Sequence, residues 1–191
     1  MHYIIGKIVS IQGETFIIES KMEIGYQLNY FQIKGVSSPL SATGITKVFF
    51  SKVSSEFETS YYGFLNSDSQ KLFNELIKIK TVGIQTAKLL MKNFSYFEFL
   101  EIIKNNDFDQ LQGLKSIGAF TSKIIIQDLQ KVFFKVTYNS KQLNVIESLQ
   151  KLGYNQQIIY QAIKETNQNL KLDEMFQRVL ETVVENEHSV I

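Results

Sequence analysis

A ten-residue pattern occurs twice in this chain, as KTVGIQTAKL over residues 80–89 and as KSIGAFTSKI over residues 115–124. The two copies align without a gap, and a Leu-x-x-(Ile/Leu) step precedes each of them. Both copies lie between helical patterns, so the sequence predicts a helix, a tight turn and a second helix at two places. The glycine of each turn permits a positive φ or a close backbone approach.

The first N–H groups of the helix after each glycine have no partner within the helix, and such a helix start binds anions. The hydroxyls of Thr86 and Thr121 are placed to bond the same phosphate. The candidate DNA-binding residues are those of the two copies: Lys80, Thr81, Val82, Gly83, Gln85, Thr86, Lys88, Lys115, Ser116, Ile117, Gly118, Phe120, Thr121 and Lys123. Backbone amides do not read bases, so we expect sequence-independent binding of one duplex at two backbone positions.

A simpler interpretation of each turn is a plain hairpin between two helices, with no ligand. A single Gly between helices favours this simpler interpretation. The repetition of Lys, Ser or Thr, Gly, Thr and Lys in both copies favours the phosphate-binding one.

Residues 1–64 carry the pattern of a small β domain. Runs rich in Ile, Val, Phe and Tyr are separated by Gly, Asn, Ser and the only proline, Pro39; the runs are HYIIGKIVSI, ETFIIES, GYQLNYFQI and ITKVFFSKVS. Short strands at this spacing indicate a barrel or sandwich, and a five-stranded OB-type barrel fits the length. Gly25 is expected at a bulge or a close backbone approach.

The hydrophobic period becomes helical after the β region. Either Ser67 or Asp68 is expected to cap the first helix. Residues 65–135 are predicted to form an all-helical domain. Residues 136–141, VTYNSK, are a short linker candidate.

Residues 142–191 carry three further helical patterns. Gly153 is expected to end the first of these helices, and Asp173 is expected at the start of the third. The predicted core of this bundle is Leu149, Leu152, Ile159, Ile163, Phe176 and Leu180. A bundle of this size buries little apolar surface, which favours docking onto a partner.

Charge is unevenly distributed, although the net charge of the chain is only +1. Residues 1–64 carry five Lys and five Glu, and residues 65–135 carry ten Lys and seven acidic residues. Residues 136–191 carry five basic and seven acidic residues. The repeated turns therefore lie in the only positive region, and the acidic balance of the tail disfavours DNA as its ligand.

The composition argues against several kinds of site. The chain has no Cys, and its two histidines, His2 and His188, lie at opposite ends. A thiolate metal site and a Ser-His-Asp triad are therefore not expected, and neither a carboxylate cluster for two metals nor a Gly-x-x-x-x-Gly-Lys phosphate loop is present. We expect no catalytic residues, no metal and no cofactor. Without a long apolar run or a signal peptide, a cytoplasmic protein with no membrane partner is expected.

The paired turns resemble the helix-hairpin-helix motifs of the RuvA family, the Holliday-junction-binding subunits of the bacterial branch-migration complex. The order of β domain, paired hairpins and three-helix tail is similar over nearly the whole chain. The most specific stretch is YYGFLNSDSQKLFNELIKI, residues 61–79, in which Tyr-Gly-Phe ends the barrel and a Phe-x-x-Leu-Ile helix leads into the first hairpin. IIGKIVSI and IGYQL resemble the first barrel strands, and SLQKLGYNQQIIYQAI resembles the first helices of the third domain.

The resemblance implies an α+β protein of three domains without catalytic activity, acting in recombination, DNA repair and the SOS response. Residues 1–64 would form an OB-type barrel for tetramerisation, residues 65–135 a tandem helix-hairpin-helix domain, and residues 142–191 a UBA-like domain that binds the RuvB hexameric ATPase. The implied assembly is a homotetramer, single or paired into an octamer, on a four-way DNA junction. A RuvC-type resolvase would be a further partner where one is present.

The resemblance also assigns two smaller sites. Glu56 and Glu58 match an acidic pin whose carboxylates would repel phosphates at the crossover; the alternative is that they are solvated charges on a hairpin. Contact with the partner ATPase is assigned to Leu149, Leu152, Gly153 and Tyr154.

The hairpins depart from the family pattern at several positions. Thr81 and Ser116 replace the first glycine of a Gly-hydrophobic-Gly turn, and Lys115 replaces a proline. Ala119 and Phe120 stand where basic residues are common. Donation by backbone amides survives these changes because it needs only the N–H groups.

Three other functions are alternatives. The first is a general helix-hairpin-helix duplex-binding or repair accessory protein without junction specificity. The second is a base-excision glycosylase, which would carry an Asp roughly 20 residues after the hairpin; no Asp is present around Tyr138. The third is a single-strand binder that stacks bases on Phe16, Tyr26, Tyr30 and Phe31.

Overall fold

The computed structural model describes residues 2–36, 44–56 and 58–188, and the side chains of residues 187 and 188 are not included. Pro39, which the sequence places between strands, and Phe57, which separates the two glutamates, lie outside the described residues. The strands are β1 (His2–Gln12), β2 (Thr15–Ser20), β3 (Gly25–Asn29), β4 (Ile45–Ser54) and β5 (Thr59–Phe64). The helices are α1 (Ser67–Lys78), α2 (Ile84–Asn93), α3 (Tyr96–Asn105), α4 (Phe108–Gln112), α5 (Ala119–Phe133), α6 (Ser140–Lys151), α7 (Gln156–Glu165) and α8 (Leu172–His188).

The five strands form a closed barrel in the order β1-β2-β3-β5-β4, which confirms the predicted five-stranded barrel. Neighbouring strands are antiparallel except β3 and β5, which are parallel and joined at the pair Asn29–Tyr62. Strand β3 ends at Asn29, earlier than its apolar run suggests. Phe31 and Ile33 are nevertheless buried, because the chain beyond the strand still packs inward.

Alternate residues of the strands fill the barrel, as the period of two predicts. Its core consists of Ile8, Phe16, Ile18, Leu28 and Val48. The pairing register of β1 with β2 shifts between Ile8 and Ser10, and Gly6 lies nearby in β1.

The closest backbone approach in the barrel is at Gly6, where an added Cβ would lie 2.1 Å from the Glu19 carbonyl oxygen. The bulge lies in β1 between Ile8 and Ser10. The expectation that Gly25 marks a bulge or a backbone approach is therefore wrong: the nearest atom to a Cβ there is an Ile17 methyl, at 3.2 Å.

Helix α1 begins at Ser67, but its cap is Asn66 rather than Ser67 or Asp68. Asn66 has an extended backbone, so its side-chain oxygen reaches the Ser69 N–H at 2.7 Å. Farther along the helix, the buried Gln70 side chain donates to the carbonyls of His2 and Phe50. Helix α1 is thereby joined to the barrel.

The chain divides into two compact units, one up to Phe99 and one from Leu100 onward, so the division falls within α3. The first unit holds the barrel, α1 and α2. The second holds α4 to α8. The predicted division into domains at residues 64, 135 and 141 stays a prediction.

Helix α6 begins at Ser140, inside the predicted linker, because Asn139 and Gln142 form a capping box there. Gly153 ends α6 as predicted: its φ is +93°, and Tyr154 N–H donates to the Leu149 carbonyl. Asp173 lies in the first turn of α8, also as predicted.

The core of the C-terminal helices differs in part from the predicted one. Leu149, Ile159 and Ile163 are buried as expected. Leu152 is 65% exposed, because it lies at the end of α6. In α8 the fully buried residues are Met175, Val179 and Val183, so Phe176 and Leu180 lie at the edge of the buried face rather than at its centre. No helix within the described ranges has the length and apolarity required to cross a bilayer.

Candidate nucleic-acid interface

The first repeated turn connects α1 to α2. Val82 N–H donates to the Ile79 carbonyl at 2.9 Å and closes the turn. Gly83 is the N-cap of α2, with φ −84° and ψ 176°, and no side chain caps the helix. The first intrahelical hydrogen bond runs from Ala87 N–H to the Gly83 carbonyl at 3.0 Å, so the amides of residues 84–86 precede the helical ladder.

The second turn, between α4 and α5, repeats this geometry. Ile117 N–H donates to the Leu114 carbonyl at 3.1 Å. Gly118 is the N-cap of α5, with φ −88° and ψ 175°, again without a side-chain cap. Ser122 N–H donates to the Gly118 carbonyl at 2.9 Å. The sequence repeat is therefore also a repeat of local backbone structure.

Neither Gly83 nor Gly118 has a positive φ, so conformational freedom does not explain these glycines. A Cβ added at either position would meet nothing within 4 Å. No contact within the described residues therefore requires Gly at either position.

The residues at the family's first glycine position behave differently in the two turns. Ser116 has a φ of +82°, in the left-handed region that favours Gly. Thr81 does not share it, and its hydroxyl is buried without a hydrogen-bond partner among the described residues.

The four predicted lysines divide into two pairs. Lys80 and Lys115 are exposed beside their turns. The Lys88 side chain is only 12% exposed and lies 2.6 Å from Glu14. Lys123 is partly buried and donates to the Gln150 side chain at 3.3 Å. The structure thus leaves Lys80 and Lys115 facing solvent and engages Lys88 and Lys123 within the protein.

The remaining residues predicted to bind DNA differ in accessibility. Val82 and Ile117 are buried, and the hydrogen bonds that close the turns use their amides. Thr86 and Thr121 are partly buried, and Gln85 is exposed. Phe120 is 70% exposed in the first turn of α5. Phe120, which the sequence pattern includes among the candidate DNA-binding residues, is therefore accessible.

Glu56 and Glu58 lie in the β4–β5 turn and are exposed. Residues two apart share a face only within a strand. Because these two glutamates lie in a turn, that rule does not fix the directions of their carboxylates. Ser60 Oγ donates to Glu58 Oε1 at 3.0 Å, and Glu58 N–H donates to Ser55 Oγ at 3.1 Å. Glu58 also lines an open groove of about 670 Å³ between β3 and β5.

The proposed ATPase contact contains one inaccessible residue. Leu149 is completely buried in the bundle. Leu152 and Gly153 are exposed and Tyr154 is partly exposed, so they form the accessible part of this surface. A separate groove of about 140 Å³ lies between α6 and α8, lined in part by Val145 and Phe176.

Two carboxylates in the first unit carry perturbed pKa values. Hydrogen bonding and Coulombic attraction from Lys88, and then from Lys92, lower the pKa of Glu14. The Ser95 backbone N–H, the Ser95 hydroxyl and Lys34 lower the pKa of Glu98 to about 2. Both groups are therefore charged near neutral pH.

One alternative function, base stacking on the barrel aromatics, finds little support in the structure. Phe16 and Phe31, half of the proposed base-stacking set, are buried in the core. Over residues 2–36, 44–56 and 58–188, no three His, Cys, Asp or Glu side chains are grouped as metal ligands.

No protein-family model matches the chain. It is 34% identical over 179 residues to the Holliday junction branch migration complex subunit RuvA of Mycoplasma capricolum subsp. capricolum, covering 94% of this chain and 95% of that protein. The RuvA subunit of Mycoplasma mycoides subsp. mycoides is 33% identical over 179 residues, again 94% of this chain and 95% of that protein. The RuvA subunit of Thermodesulfovibrio yellowstonii is 30% identical over 94 residues, which are 49% of this chain and 48% of that protein. With about a third of its residues identical to two RuvA subunits over almost its whole length, the chain belongs to the RuvA family.

Proposed function

We propose that this chain is the non-catalytic, junction-binding subunit of a branch-migration complex. In this proposal its two helix-hairpin-helix turns hold the phosphate backbone of four-way DNA junctions, and its UBA-like C-terminal helices recruit a RuvB-type ATPase. The names of its relatives, which are subunits of a Holliday junction branch migration complex, support this role.

The observation that carries the proposal is the paired geometry of Gly83 and Gly118. Each starts a helix without a side-chain cap, and each has open space where a Cβ would stand. Ser, Thr, Asp or Asn would ordinarily stabilise a helix start at such a position. A cap and a Cβ are dispensable if a phosphate oxygen accepts from the helix amides and the DNA backbone lies against the glycine.

Self-assembly is supported by β1, which carries apolar side chains on both faces, with Lys7 as a charged residue on its outward face. Its inward residues, such as Ile8, belong to the barrel core. Its outward residues Tyr3, Ile5, Val9 and Ile11 are 44–51% exposed. A run of this kind is more typical of a strand covered on both sides, and a second copy of the chain would cover it in the proposed tetramer.

The acidic pin is the part of the proposal that distinguishes a junction from a plain duplex. Glu56 and Glu58 are exposed in one turn, where their charges would act on phosphates brought close to them. Repeated by symmetry in an assembly, they would disfavour strands that cross the centre.

The test is a gel-shift titration of a labelled immobile four-way junction, with excess linear duplex as competitor, at two salt concentrations. Gly83→Asp and Gly118→Asp together should abolish junction binding, because each carboxylate occupies the phosphate position. Gly83→Asn with Gly118→Asn is the matched control, since Asn is an equally good N-cap and carries no charge.

We expect the Asp pair to be folded and inactive, and the Asn pair to bind more weakly than the unsubstituted protein but better than the Asp pair. Unchanged junction affinity in the Asp pair would overturn the hairpin assignment. Equal loss of the junction complex to linear duplex would leave a general duplex binder instead.

A further inference from the structure

Glu14 connects the barrel to the first hairpin. It lies in the turn between β1 and β2, where Gly13 has a φ of +58°. Its carboxylate accepts from Lys88 Nζ at 2.6 Å and from Lys92 Nζ at 3.4 Å. The two lysines are four residues apart, on one face of α2. One carboxylate from the barrel therefore holds two cations of the hairpin helix.

Lys88 is the more enclosed of the two lysines. Its side chain is 12% exposed, against 43% for Lys92. Its ammonium lies 5.6 Å from the centre of the Phe31 ring, which is itself buried. The charge of an ammonium placed between a carboxylate and an aromatic face is already balanced by the carboxylate, and the ammonium is largely removed from solvent. Phosphate would have to displace Glu14 to reach it.

A second set of contacts lies at the C-terminal end of α2. Lys34 N–H donates to the Met91 carbonyl at 3.0 Å, and Lys34 Nζ lies 3.0 Å from Glu98 Oε1. Gly35, with φ +76°, lies so close to Ser95 that an added Cβ would be 2.9 Å from the Ser95 Cβ. Helix α2 is therefore held at its middle by Glu14 and at its C-terminal end by Lys34, in one compact unit.

We propose that Glu14, Lys88 and Lys92 form a positioning device that directs the N-terminus of α2, and that Lys88 is not a phosphate contact. This inference rests on the proposed function, because the helix start that it directs is the phosphate-binding one. It reassigns Lys88, which the sequence pattern alone groups with Lys80.

Salt dependence separates the two roles. Each phosphate contact that is lost reduces the slope of log affinity against log salt concentration by about 0.9. Loss of a positioning contact lowers the affinity but keeps the number of phosphate contacts. Lys80→Met and Lys88→Met are matched substitutions, since both remove one ammonium from the same hairpin and keep an unbranched side chain.

We expect Lys88→Met and Glu14→Gln to weaken junction binding several-fold with an unchanged salt slope. Lys80→Met should lower the slope. The charge-swapped variant Glu14→Lys with Lys88→Glu should regain most of the affinity, because the pair is restored with its signs exchanged. A Lys88→Met slope as reduced as that of Lys80→Met would overturn the inference, as would tighter binding by Glu14→Gln.

A measurement without DNA separates this inference from the proposed function. Amide hydrogen exchange over residues 84–90 should be faster in Glu14→Gln and should return to the original rate in the charge-swapped variant. If the unsubstituted protein failed to bind junctions, the proposed function would fail and the exchange rates would still decide whether Glu14 holds α2. Unchanged exchange in Glu14→Gln would refute the positioning device.

Discussion

At the scale of single residues, the backbone angle of Ser116 is the clearest conflict between a side chain and its position. Its φ of +82° lies in the left-handed region, which costs a non-Gly residue about 1 kcal/mol or more. Gly loses more conformational freedom on folding, which offsets part of that difference. Because Ser116 is exposed, its unfavourable backbone angle does not involve buried packing.

We therefore predict that Ser116→Gly raises the free energy of unfolding by a few tenths of a kcal/mol to about 1 kcal/mol. Urea denaturation followed by circular dichroism measures it. Thr81→Gly is the matched control at the other turn, and it should lower stability because Thr81 does not have a positive φ. A less stable Ser116→Gly variant would contradict this account of the turn.

At the scale of elements, the connection from α5 to α6 is held by a buried polar network. The Gln130 side chain donates to the Ile103 carbonyl at 2.7 Å and to Asn106 Oδ1 at 2.8 Å, and it accepts from the Tyr138 hydroxyl at 3.2 Å. Tyr160 is completely buried and accepts from Gln127 at 2.7 Å. The short predicted linker is therefore anchored by Tyr138 in this unit.

Substitution of Gln130, at the centre of this network, should lower the free energy of unfolding. Gln130→Ala leaves Asn106 Oδ1 and the Tyr138 hydroxyl without this partner, at about 1–3 kcal/mol for each buried polar group. The Ile103 carbonyl keeps its bond from the Asn106 N–H. The loss would appear as a lower urea midpoint. Gln157→Ala, at a partly exposed position in α7, is the comparison, and an equally small effect of both substitutions would argue against the network.

The same network predicts a pH dependence. Burial raises the pKa of Tyr160 to about 12 and raises that of Tyr138 as well. A phenol whose pKa is higher in the folded state stabilises the protein below its unfolded pKa of about 10 and loses that contribution as pH rises through the folded value. Stability should therefore fall between about pH 10 and pH 12. Tyr138→Phe with Tyr160→Phe should show a shallower fall in urea titrations across this range, and an equally steep fall would contradict the assignment.

At the scale of the whole molecule, the proposed self-assembly depends on the exposed face of β1. Ile5 and Val9 point outward and are 44% and 48% exposed. Ile5→Lys with Val9→Lys should reduce the mass measured by light scattering from that of an assembly to that of a single chain, because charged groups would have to be buried in the interface. Met22→Lys, at a site that is 83% exposed beyond β2, is the control. An unchanged mass would place the interface elsewhere.

Many of the features fixed by local chemistry could be predicted from the sequence. The barrel, the helical character of residues 65–135, the three helices after them, the repeated turns, the Gly153 helix end and the position of Asp173 follow from hydrophobic period and turn chemistry, which act over a few neighbouring residues. The Asn66 cap was missed because Asn66, Ser67 and Asp68 are all good caps, and only the backbone angle selects one of them.

Contacts between distant segments were decided by the tertiary structure alone. Lys80 and Lys88 both belong to the first copy of the repeated motif, yet only Lys88 meets Glu14, which lies 74 residues away in the chain. Leu149 and Leu152 share an apolar pattern, yet only Leu149 is buried. The physical reason is that the sequence period predicts only which face of an element a residue lies on. The partner that covers that residue depends on how remote elements pack, and this partner sets its charge environment and its exposure.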